Sequence, residues 1–191
     1  MTIYLKGALV ALVVAAAVYF IYSRNEGKLP VNQSPVEFQV ITKMETEGAP
    51  DFELERLDGT KVKLSNFKGK LVIVNFWASW CNPCVEEIPS MVSLVEKMKG
   101  DLVVVAVSTD EEKKDIAPFL KAFKIPPTGF EVLWDKGKTV RNAYAVSKMP
   151  ESFILTPDLR LAKKIVGIEQ WGADGAVLYF QKMMKDFARG K

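Results

Sequence analysis

The chain has 191 residues, is 49% apolar and carries a formal net charge of +3, which suits one well-packed domain with appendages. The small positive excess is scattered and forms no basic stripe interleaved with aromatics, which argues against a nucleic-acid partner. There is no histidine, and the only cysteines are Cys81 and Cys84. Cys–His and Ser–His nucleophile pairs are therefore absent, zinc would need ligands from a second chain, and no metal is expected.

Ile3 to Tyr22 is a 20-residue run whose single charge is Lys6. At ~1.5 Å per residue such a helix spans the roughly 30 Å hydrocarbon layer. Lys6 is near enough to one end to snorkel, and Tyr19 and Tyr22 suit the far interface. A cleaved signal peptide ending at Ala15-Ala16-Ala17 is the competing reading. It would leave a very short apolar core, so residues 1–22 are read as an uncleaved signal-anchor in the lipid bilayer. Lys6 precedes the span while Arg24 and Lys28 follow it, so the count of Lys and Arg leaves the orientation open. Residues 23–48, with Pro30 and Pro35, read as a polar stem, within which Glu37-Phe38-Gln39-Val40-Ile41 has the pattern of a short strand.

The folded domain is expected over residues 49–191. Asp51–Arg56 and Thr60–Leu64 flank Leu57-Asp58-Gly59, a hairpin signal, and Ser65-Asn66-Phe67 with Gly69 turns into a core strand, Leu71–Trp77. From Cys84 the period changes: Cys84, Ile88, Met91, Val92, Val95 and Met98 share a helical face, with Pro89 placed to kink the helix. Leu102–Val107 is a second continuous apolar strand, of the kind covered on both faces. A helix over Glu111–Lys124 buries Ile116, Phe119, Leu120 and Phe123. Val132–Trp134 is a further strand and Thr139–Tyr144 a short helix. Ser152–Leu155 and Leu161–Val166 form a hairpin around Thr156-Pro157-Asp158, and Gly172–Arg189 is a closing helix with Ala176, Leu178, Tyr179, Met183 and Phe187 as its apolar positions. Alternating strands and helices that end in a hairpin and a helix predict an α/β sandwich with a mixed sheet.

The two cysteines lie where the first core strand passes into a helix. Cys81 then sits at the helix N-terminus, where free amides and the dipole favour a thiolate and lower a thiol pKa from ~8.5 to somewhere around 3.5–7.5. Cys84, one turn inside, is placed to resolve a mixed disulfide. A purely structural disulfide is the bland alternative, but so short a loop adds little constraint to the unfolded chain.

Trp80-Cys81-Asn82-Pro83-Cys84, preceded by Asn75-Phe76-Trp77-Ala78 and followed by Pro89, resembles the thioredoxin superfamily. Ala49-Pro50-Asp51-Phe52, the Leu57-Asp58-Gly59 turn, Gly69-Lys70 and Glu87-Ile88-Pro89 are similar to its membrane-anchored TlpA/ResA branch, over about residues 49–191. The resemblance implies a thioredoxin-like fold, a central mixed sheet with helices on both faces and an N-terminal hairpin extension. It implies an extracytoplasmic (periplasmic) thiol–disulfide oxidoreductase on the bacterial cytoplasmic membrane. Its substrates would be protein disulfides, apocytochrome c among them, its reductant a membrane electron-donor protein, and its only cofactor the Cys81–Cys84 disulfide itself.

The same resemblance implies roles for individual residues. Cys81 attacks and Cys84 resolves. Pro150, in Lys148-Met149-Pro150, is the cis-proline against the dithiol, with Met149 and Trp80 facing substrate. Pro83 and Pro89 shape the site. Asn75 stands where thioredoxins carry a buried aspartate, and Glu87 takes over as the acid that relays the Cys84 proton. Glu151 and Met149 depart from the usual residues around this proline, and Glu151 is expected to put an acidic group near the substrate groove. An oxidant using the same dithiol, and an anchored assembly module in which the dithiol is incidental, are the competing functions.

Overall fold

The computed structural model describes residues 35–190. The predicted 3–22 span, most of the stem and Lys191 lie outside the described residues. Among the described residues no helix is long and apolar enough to cross a membrane.

The first described element corrects the expected strand at Glu37–Ile41. Pro35–Thr46 is a helix, α1, with acidic Glu37 in its first turn and basic Lys43 in its last, both favourable to the helix dipole. Proline presets the backbone angle for a helical start. The apolar residues Val40, Ile41 and Met44 recur at helical rather than alternating spacing. Met44 is fully buried with Val40 and Ile41 packed beside it.

After α1 come β1 (Glu53–Glu55), β2 (Lys61–Lys63), a 3-10 turn at Leu64–Phe67 and β3 (Leu71–Trp77). Next follow α2 (Asn82–Met98), β4 (Leu102–Ser108), α3 (Lys113–Ala122), β5 (Phe130–Trp134) and α4 (Thr139–Ala143). The chain closes with β6 (Glu151–Leu155), β7 (Leu161–Val166) and α5 (Asp174–Ala188). The seven strands form one sheet in the order β2-β1-β5-β4-β3-β6-β7. β3, β4 and β5 are parallel, and the flanking pairs are antiparallel. The predicted thioredoxin-like α/β sandwich with its mixed sheet and hairpin extension is therefore present. β2 and β7 are the two edges; Lys61 and Lys63 stand exposed on the first and Lys163 on the second.

Every residue of β3 and β4 is buried, because side chains alternate between two covered faces. From β3, Leu71, Ile73 and Trp77 enter a core with Met91, Leu94 and Met98 of α2, Ile116 of α3 and Val177 and Phe180 of α5. Val72, Val74 and Phe76 enter the opposite core with Met44, Val140 and Tyr144. Each such side chain contributes roughly 1.5–3 kcal/mol on burial.

The expected apolar stripe of the last helix is out of phase. Val177 and Phe180 are its buried positions, with Met183 and Met184 packed against the core, whereas Leu178, Tyr179 and Phe187 are exposed. The 177, 180, 184 series satisfies helical spacing as well as the expected one, and Trp171, stacked on Phe180 with ring centroids 6.3 Å apart, selects it.

Candidate active site

β3 ends at Trp77, and the chain crosses Ala78-Ser79-Trp80 before Cys81 begins α2. A buried carboxylate holds that crossing. Asp110, just past the end of β4, accepts the Ser79 amide at 3.1 and 3.0 Å, the Ser79 hydroxyl at 2.7 Å and the Ser108 hydroxyl at 2.7 Å. Trp134 donates its indole N–H to the Asp110 carbonyl at 2.8 Å, tying β5 to the same point. Trp77 is buried edge-on to Phe119, whereas Trp80 is 67% exposed. They are respectively the packing residue and the rim residue.

Cys81 is the residue that caps α2, in extended backbone, with Pro83 in the first turn. A proline there fills a position whose N–H has no helical partner. Cys81 and Cys84 are joined in a disulfide, S–S 2.10 Å, with Cα atoms 5.3 Å apart. Cys84 is fully buried and Cys81 nearly so. α2 runs on through Pro89, which is exposed.

Glu87 is one turn beyond Cys84 and is 1% exposed, far more deeply placed than its neighbour Glu86, which is exposed. Its Oε1 accepts from Asn75 Nδ2 at 2.8 Å, and the same amide donates to Ser152 Oγ at 3.0 Å. Its Oε2 accepts from Trp171 Nε1 at 3.1 Å and from the Glu169 amide at 3.4 Å. Burial pushes the carboxyl pKa above its ordinary value; the donors from Trp171, Asn75 and the Glu169 amide oppose this, and the negative charge of Glu169 adds to it. Desolvation is the larger effect because all these donors are neutral and none restores a full countercharge.

The Met149–Pro150 peptide bond is cis. Pro150 is buried, Met149 is half-buried, and Met149 Sδ accepts from Thr109 Oγ1 at 3.5 Å. The Gly167 amide donates to the Pro150 carbonyl at 2.9 Å, and Gly167 has φ +95°, a conformation that glycine adopts without a Cβ clash.

Glu151 does not face a groove, contrary to expectation. It is fully buried on the Phe76 and Phe153 side of the sheet, accepts the Ser147 amide at 3.1 Å and pairs with Lys164 Nζ at 2.7 Å. β6 alternation decides this: Ser152 points to the dithiol face, so Glu151 must point away.

Residues 46–164 match the AhpC/TSA family. The thiol-disulfide oxidoreductase ResA of Bacillus subtilis is 36% identical over 124 residues, covering 64% of this chain and 68% of that protein. Among solved structures, a Chlorobium tepidum protein assigned as a thiol:disulfide interchange protein DsbE has 32% identity and a TM-score of 0.63, covering 72% of this chain and 95% of the other. The exposed lipoprotein thioredoxin Etrx1 of Streptococcus pneumoniae has 28% identity and a TM-score of 0.57, covering 71% and 99%. This chain belongs to the AhpC/TSA family. Within that family it is a thiol–disulfide oxidoreductase of the ResA/DsbE type.

For this AhpC/TSA member, the fold brings Cys81, Cys84, Glu87 and Asn75 onto one face of the sheet. Three participants escaped the sequence reading: Asp110 behind the Ser79 crossing, Ser152 behind Asn75, and Trp171 on Glu87. None belongs to a local motif. A lone tryptophan just before a helix carries no signal that it will reach 84 positions back along the chain. Among the described residues no group of three or more His, Cys, Asp or Glu side chains is arranged to hold a metal ion.

Proposed function

We propose that the chain is a membrane-anchored, extracytoplasmic reductant of protein disulfides. The observation that carries the proposal is the redox pair at the start of α2, with Cys81 beside exposed Trp80 and Cys84 buried one turn above Glu87. The apolar run 3–22 supports the anchor, and the likeness to an exposed lipoprotein thioredoxin supports the side of the membrane. The resemblance of residues 49–191 to the TlpA/ResA branch supports apocytochrome c as a substrate.

In the reduced enzyme, Cys81 thiolate attacks one sulfur of a substrate disulfide. A mixed disulfide forms and the first substrate thiolate leaves. Cys84 then gives its proton to the Glu87 carboxylate and attacks Cys81 Sγ. The Cys81–Cys84 bond closes, the second substrate thiolate leaves, and two electrons have passed to substrate. Asn75 fixes the orientation of Glu87. Trp80, Met149 and Pro150 line the approach, and the backbone at Met149 pairs with an extended substrate segment. A membrane electron-donor protein with a dithiol returns the enzyme to its reduced state.

The decisive experiment combines two substitutions in the full chain. Cys81→Ser is expected to abolish reduction of insulin disulfides, and Cys84→Ser to accumulate substrate proteins covalently held on Cys81, identified by mass spectrometry. Full insulin reduction by the Cys81→Ser protein would end the mechanism. Direction is read separately from the reduction potential, since ~30 mV corresponds to ~1.4 kcal/mol for this couple. A potential well above the thiol poise of the compartment would make the protein an oxidant instead.

A further inference from the structure

The loop between β7 and α5, residues 167–173, lies against α2. Gly172 is a point of close approach, where a Cβ would meet Ser93 Cβ at 2.8 Å and the Ser90 carbonyl at 3.0 Å. Its amide donates to Ser90 Oγ at 3.0 Å, and its carbonyl accepts from Lys97 Nζ at 2.7 Å. Trp171, one residue earlier, is 2% exposed and held by its stack on Phe180. The loop is thus fixed to the helix that bears the dithiol, and its tryptophan is delivered to a set place.

That place is Glu87 Oε2. An indole N–H is a donor only and has no lone pair with which to receive a proton in return. The Glu169 amide, also donor only, reaches the same oxygen at 3.4 Å. Among the described residues, Oε1 accepts only from the Asn75 amide, whereas Oε2 has two donors. We propose that Trp171 is a positioning residue of the reaction, which occupies Oε2 of Glu87 and leaves Oε1 as the atom that takes and returns the proton. This rests on the reading of Glu87 as the proton relay of Cys84. Among the described residues, the charged group acting on Glu87 is Glu169 of the loop, the disulfide-bonded cysteines do not titrate, and β3 and β6 contribute neutral Asn75 and Ser152.

The test uses the oxidised full chain in mild detergent, where the cysteines do not titrate, with carboxyl-labelled glutamate followed by carbon NMR. Two variants are compared with wild type. Trp171→Phe keeps an aromatic ring against Phe180, and Trp171→β-(3-benzothienyl)alanine keeps the indole shape while removing the N–H alone. A hydrogen bond to the ionised form lowers an acid's pKa, so both variants should raise that of Glu87 further, by about one pH unit. In the reduced enzyme the acid limb of disulfide reduction should move up by the same amount. Neither variant should alter the profile when Glu87→Gln is already present. An unchanged Glu87 titration in the isosteric variant overturns the role of Trp171. If Glu87→Gln itself retains the wild-type profile, the relay reading fails first, so the two failures are told apart.

Discussion

Two carboxylates are buried beside the same stretch of β6, on opposite faces of the sheet, and they are treated differently. Glu151 has a cation: Lys164, whose side chain is only 9% exposed, lies 2.7 Å away and over the Phe153 ring. Glu87 has hydrogen-bond donors that are all neutral. The first arrangement holds a charge in place and anchors the segment 147–151, which carries the cis-proline. The second leaves a carboxyl that desolvation keeps ready to bind a proton. The same residue type, at similar depth, is a fastening on one face and the proposed proton relay on the other, and the difference is made by the partner.

The largest effect should come from breaking the fastening. Removing one member of a buried ion pair costs about 3–5 kcal/mol, because the other charge is stranded. Glu151→Ala, followed by urea unfolding, is expected to show a loss of that size. Glu151→Leu combined with Lys164→Met should recover most of it, and a double variant as unstable as the single one would remove the ion pair from the comparison. Next in size, Asp110→Ala leaves the Ser79 amide and two hydroxyls without their acceptor, for a loss of about 1–3 kcal/mol. A slower reaction of Cys81 should accompany it in stopped-flow assays.

The proposed relay, Glu87, should reveal itself through pH rather than through overall stability. Its folded pKa is raised, so its contribution to stability is fully present below the unfolded value of about 4.3 and is lost as pH rises through the folded value. Glu87→Gln should remove this decline, so thermal unfolding of wild type and variant should diverge progressively above that pH, the variant being favoured. Parallel curves would mean that Glu87 is no more perturbed than a surface carboxylate. The smallest change is expected at the solvated pair Lys61–Glu53, whose side chains are 66% and 39% exposed. Lys61→Ala should cost well under ~1 kcal/mol in the same melts, which sets the baseline for the buried pairs.

What the sequence disclosed follows the same division between local and distant causes. β3, α2, β4 and the β6–β7 hairpin were legible because their signals are continuous in the chain: apolar runs, a change of period and turn residues. The dithiol was legible for the same reason, and the burial of Glu87 because it sits one turn from Cys84. Glu151 was misplaced because its position was judged from its neighbour Pro150, whereas the face it takes is set by sheet register. The helix α1 was hidden under a stem-like composition. Trp171, Ser152 and Asp110 act across separations of 84, 77 and 31 residues, and nothing local marks such contacts.

The edges of the sheet carry a further consequence. Unpaired backbone amides and carbonyls on an outer strand invite any extended chain to add to it, and charged side chains, lysine above all, make that addition costly. Lys61 and Lys63 guard one border and Lys163 the other. Charge at both rims thus disfavours edge-to-edge pairing of one copy's sheet with another's, without any alteration of the redox centre.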